Sequence, residues 1–102
     1  MISTQVTITT SAGDITIDAA GNDTDIIFKG TDGGVDTAFL TLDGSAGGAA
    51  TFNSTITVAG ASTFNSTITA AGTSVFTNLD ISGNVDIDGL LETDGLSING
   101  TS

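Results

Sequence analysis

The chain has 102 residues, enough for one domain, and sets eleven Asp and one Glu against a single base, Lys29, for a net charge of −11. That charge disfavours nucleic acid as a partner and favours solubility in a chain full of strand formers. With no Cys there is no disulfide or thiolate site, and with no Pro every backbone N–H is available to a strand ladder.

The start, Met1-Ile2-Ser3-Thr4-Gln5, shows neither the basic nor the apolar part of a signal peptide, and no apolar run approaches a membrane span. Val6 and Ile8 alternate until Gly13 breaks the run. Ile15-Thr16-Ile17-Asp18-Ala19 alternates again and ends at Gly21-Asn22-Asp23. Ile26-Ile27-Phe28 predicts a third short strand, Thr31-Asp32-Gly33-Gly34 a turn, and Ala38-Phe39-Leu40-Thr41-Leu42 a fourth strand. Asp43-Gly44 and the loose Ser45-Ala46-Gly47-Gly48 follow, and no capped helix is predicted anywhere. The composition shifts over Gly44 to Ala50. This divides the chain into an irregular β region, 1–48, and a repetitive region, 49–102.

The repetitive region opens with a tandem repeat. Thr51-Phe52-Asn53-Ser54-Thr55-Ile56-Thr57 recurs twelve residues later as Thr63-Phe64-Asn65-Ser66-Thr67-Ile68-Thr69, identical at all seven positions. Period two puts Phe52, Ser54, Ile56 and Val58 on one face and Asn53, Thr55 and Thr57 on the other, the pattern of a half-buried strand. The second copy puts Phe64, Ser66, Ile68 and Ala70 on that same face. The repeat length is even, so equivalent side chains can stack at the strand spacing of about 4.8 Å. Ser74-Val75-Phe76-Thr77-Asn78-Leu79 is a degenerate third copy, with Phe76 in the position of Phe52 and Phe64.

Four hexads then carry the pattern apolar-x-apolar-x-Gly-x, the third one residue short. They begin at Leu79 (with Ile81), Val85 (with Ile87), Leu91 and Leu96 (with Ile98). Short strand, Gly corner, short strand is the unit of a β-helix, so the predicted fold is all-β with β-helical, solenoid-like repeats. The large apolar residues number only 27 in a chain rich in Gly, Ala, Ser and Thr, and burial between chains would correct that shortage.

Asp80, Asp86 and Glu92 occupy one hexad position and Asp88 and Asp94 another. Stacked carboxylates suit Ca²⁺, but the Gly-Gly-x-Gly-x-Asp pattern of Ca²⁺-binding β-rolls is missing, and a solvated charged face is the preferred reading. Paired carboxylates also suit glycoside hydrolysis, for which the five Phe offer no platform because they read as core. The Thr55-x-Thr57 and Thr67-x-Thr69 ranks resemble those of ice-binding solenoids but number only two. Asn22, Asn53, Asn65 and Asn99 head N-glycosylation patterns that matter only in a secreted protein. No metal, cofactor or catalytic residue is assigned, and the chain is not read as an enzyme.

Asp25-Ile26-Ile27-Phe28-Lys29-Gly30-Thr31-Asp32-Gly33-Gly34, then Phe39-Leu40-Thr41-Leu42-Asp43, Ala50-Thr51-Phe52-Asn53 and the Ile-x-Gly hexads resemble repeats of bacteriophage tail-fibre and related virion structural proteins. The resemblance implies an intertwined homotrimer forming a stiff shaft, located in the virion, with host attachment by a tip further along the polypeptide. It also implies an anchor to other virion proteins at the N-terminal end. On that reading Phe52, Ile56, Phe64, Ile68 and Phe76 fill a core shared between chains, continued by Leu79, Ile81, Val85, Ile87, Leu96 and Ile98. The alternative is an extracellular self-polymerising filament whose subunits pair at open β-edges. Neither reading includes nucleic acid or a membrane span.

Overall fold

The computed structural model describes residues 4–99. Its regular structure is almost entirely β. Strands β1 (Ile26–Asp32), β2 (Val35–Asp43) and β3 (Ala49–Phe52) form an open antiparallel sheet in the order β1-β2-β3. The chain divides into two units that meet in sequence between Ser62 and Thr63, and the sheet belongs to the first.

The hairpin β1–β2 follows from its turn. Asp32 pairs with Val35, leaving Gly33-Gly34 as a two-residue loop with φ of 58° and 84°. A type I′ loop needs positive φ at both positions and matches the twist of the strands it joins. The expected turn was wider. Thr31 and Asp32 belong to β1 instead, because Gly-Gly alone suffices to reverse the chain.

Register sets the faces. Ile26, Leu42 and Ala50 lie in one cross-strand row, and Phe28, Leu40 and Phe52 in the next. Side chains alternate along a strand, so both rows share one face. The row between them, Ile27, Thr41 and Thr51, faces the other way. Phe28 pairs with Leu40 but Lys29 with Ala38, so Phe39 has no opposite residue and forms a β-bulge. Its ring closes over Gly30, where an added Cβ would run into the ring. The aromatic ring thereby covers backbone that glycine leaves bare.

The β2–β3 connection is a single 3-10 turn, Gly44–Ala46, capped by Asp43. The Asp43 carboxylate accepts from the Ser45 N–H (2.9 Å) and the Ser45 hydroxyl (2.7 Å). Gly47 and Gly48 take φ of 67° and 86°, and the Gly48 N–H donates to the Asp43 carbonyl at 2.8 Å. A capped turn therefore stands where a loose loop was expected. The Gly44 N–H donates to Asp25 Oδ1 at 3.0 Å, which ties the entry of β1 to the exit of β2. Thr24 sits at that junction. Its hydroxyl donates to the Gly21 carbonyl at 2.7 Å, and a Cβ on Gly44 would collide with the Thr24 carbonyl.

The alternating segments Val6–Ile8 and Ile15–Ala19 are not strands. Alternation marks a residue pattern suited to a sheet, but a strand also needs a neighbour to pair with. The same holds from 53 to 97, where no strand is formed, while Ile98 makes an isolated bridge. No described residue is buried; Ile26, Leu40 and Leu42 are among the few that are half-buried.

Candidate assembly surface

The two apolar rows make a continuous face on the sheet of the first unit. A groove of about 390 Å³ runs beside Phe39, Leu40 and Phe52, with Asp32, Thr37, Asn53, Ser54 and Thr55 on its polar side. A second, of about 260 Å³, lies against Ala19, Ile26 and Leu42, bordered by Asp18, Thr24, Gly44 and Gly48. Phe28, Phe39 and Phe52 remain 45–48% exposed. Covering a Phe or Leu side chain fully is worth about 1.5–3 kcal/mol, so this face carries a driving force that one chain leaves largely unused.

Of the eleven residues expected to fill a shared core, the sheet takes in Phe52, which pairs with Leu40. Ile56, Phe64, Ile68 and Phe76 are 61–66% exposed. Leu79, Ile81, Val85, Ile87, Leu96 and Ile98 are exposed as well, from 46% at Ile81 to 68% at Leu96. None of the eleven is buried within one chain. Sequence reasoning left Ile26, Phe28, Phe39, Leu40 and Leu42 out of the assembly residues. On β2 Leu40-Thr41-Leu42 alternates, but on β1 Ile26-Ile27-Phe28 is an unbroken apolar run whose shared face only pairing reveals, and the placement of Phe39 depends on the bulge.

The sole base, Lys29, pairs through Nζ with Asp36 Oδ2 across the hairpin. Both side chains are well exposed, so the pair contributes at most about 1 kcal/mol. Asp43 is the carboxylate that caps the 3-10 turn. The Ser45 hydroxyl, then the Ser45 N–H, holds its pKa below the ordinary Asp value. A lowered folded pKa means a stabilising contribution that is complete above the ordinary Asp value and disappears as pH falls through the lowered one. Proton NMR of the Ser45 and Gly48 amides is expected to show an acid transition with its midpoint below the ordinary Asp range. A midpoint at or above that range would remove the cap.

Among the described residues no three acidic, His or Cys side chains are gathered to hold a metal, so Asp80, Asp86, Asp88, Glu92 and Asp94 form no such cluster. The Asn99 glycosylation pattern and the fourth hexad run past the described residues at Gly100 and Thr101. No described helix is long and apolar enough to cross a membrane. No protein-family model, curated protein or solved structure matches the chain.

Proposed function

We propose that the chain is a structural subunit of a phage tail fibre or similar virion fibre, three copies of which wind into a stiff β-helical shaft for host attachment. The observation that carries this reading is accessible area. A compact monomer of 10.0 kDa exposes roughly 5,200 Å² and its unfolded chain roughly 14,500 Å². This chain exposes 9900 Å², so it buries only about half of what a self-sufficient domain of its mass buries. The exposed residues include Phe28 and Phe52 of the apolar rows and the inward-parity residues of the repeats, which suits burial between copies. Residues 49–102 would form the shaft, and residues 1–48 would join it to other virion proteins. The acidic exterior would keep neighbouring shafts apart.

The filament reading draws on a separate observation. In the described sheet β1 and β3 are the edge strands, and open edges template further pairing. Stoichiometry separates the two, because a closed ring stops growing and an open contact does not. Light scattering behind size exclusion, with and without a Ca²⁺ chelator, is expected to give a sharp threefold mass that chelation leaves unchanged. A concentration-dependent open series would replace the fibre by the filament, and a folded monomer would end both.

A further inference from the structure

The β2–β3 ladder is short, and its sequence occurs twice. Ala49-Ala50-Thr51-Phe52 forms β3, and the Asn53 N–H adds one bond, 3.0 Å, to the carbonyl of the bulged Phe39. Twelve residues on, Ala61-Ser62-Thr63-Phe64-Asn65 repeats this segment with one change, Ser62 for Ala50. Whatever on β2 accepts β3 therefore accepts the second copy too. Leu40 would face Phe64 instead of Phe52, Thr41 would face Thr63, Leu42 would face Ser62 and Asp43 would face Ala61. The one change is mild, since Ser differs from Ala by a single hydroxyl and Ala50 is exposed in one chain.

Exchange inside one chain is disfavoured. β2 ends at Asp43 and β3 begins at Ala49, so the connection is 44–48; the second copy would need 44–60. Closing the longer loop is about sixfold less probable by chain statistics. It also forfeits the Gly48-to-Asp43 bond that sets the short connection. A segment arriving from another molecule closes no loop and loses instead the entropy of association, a cost that falls as concentration rises. The strand it displaces is easily released, because all four β3 residues are exposed and the incoming copy restores the same ladder.

We propose that β2 is a strand-exchange site, on which Ala61–Phe64 of one copy takes the place of β3 of another. The inference rests on the self-assembly reading above and deepens it. Each chain donates a strand to one neighbour and accepts one from the next, so copies interlock through the tandem repeat.

Cysteine pairs in this Cys-free chain test it. The Asn53–Phe39 bond makes those two residues a hydrogen-bonded pair. Leu42 and Ala50, three steps along, are then a non-hydrogen-bonded pair, the closer type and within reach of a disulfide. Leu42→Cys with Ala50→Cys should close within a monomer and shows that the sheet survives the shared substitution. Leu42→Cys with Ser62→Cys should, on mild oxidation, give disulfide-linked multimers that decline on dilution. Leu42→Cys with Thr63→Cys, one residue off in register, should link several-fold less. If the Ser62→Cys pair stays unlinked, closes only within monomers, or links no better than the Thr63→Cys pair, the exchange is overturned. Should the unsubstituted chain still show a multimeric mass by light scattering, the assembly reading survives that failure. Should it be monomeric, both fall.

Discussion

Gly44→Ala is expected to unseat β3 from β2. Gly44 lies against the backbone of Thr24, and the atom a Cβ would strike is the Thr24 carbonyl oxygen. No side-chain rotation relieves a clash with backbone, and Thr24 is itself held to Gly21 by its hydroxyl and its N–H. Overpacking of this kind costs about 1–3 kcal/mol. Displacing Gly44 also endangers the bond its N–H donates to Asp25, and hydrogen bonds to charged groups contribute about 1.5–3 kcal/mol. The overpacking alone, at about 2 kcal/mol, corresponds to about 30-fold faster amide exchange at Thr51 and Asn53, and loss of the Asp25 bond would raise it further. Gly60→Ala is the matched control, since nothing lies within 4 Å of a Cβ there. Equal exchange in the two variants would mean that the Thr24–Gly44 contact does not hold the connection in place.

Ile68→Asp is expected to dissociate the assembly, while Thr67→Asp one residue earlier leaves it intact. Period two puts Ile68 with Phe64 on the inward face and Thr67 on the outward one. In one chain Ile68 is 66% exposed, so within the isolated subunit the substitution has little to disturb. Buried between copies, it loses at least the roughly 2–5 kcal/mol of an Ile→Ala change, once per chain. It also places a carboxylate where each neighbouring copy already carries a charge of −11. Sedimentation velocity at matched concentration reads the difference. Comparable dissociation by both variants would point to general charge repulsion and remove the strand parity from 63 to 69.

The hairpin was the legible part of this fold. Ile26-Ile27-Phe28, Gly33-Gly34 and Ala38–Leu42 carry their information locally: a short apolar run, a turn dipeptide, and a second apolar run that ends in alternation. Val6–Ile8 and Ile15–Ala19 alternate more cleanly and yet are not strands, because a strand is completed by a partner strand and neither segment is paired with one. The bulge at Phe39 was hidden for a related reason. It is a property of two strands taken together, and only the register around Gly30 reveals it. The 3-10 turn after β2 was hidden by composition, since Ser45-Ala46-Gly47-Gly48 reads as loose until Asp43 is recognised as its cap. In the repeats, period two marks which residues share a face, but beyond Asn53 the described residues form no strand for that pattern to pair along. The residues expected at a shared core are therefore assigned by parity alone and stay exposed in one copy.

The lone base has a practical consequence. Trypsin cleaves after Lys or Arg, so the bond following Lys29 is the chain's one tryptic site. That bond lies inside β1, where Lys29 is paired to Ala38 and Gly30 is covered by the Phe39 ring. A protease needs several residues of released backbone to cut, so digestion proceeds only from hairpins that have come apart. Where reclosing outpaces cleavage, the digestion rate follows the population of open hairpins. The molecule thus carries a built-in, label-free gauge of sheet opening: two fragments, 1–29 and 30–102, appearing at a rate set by β1.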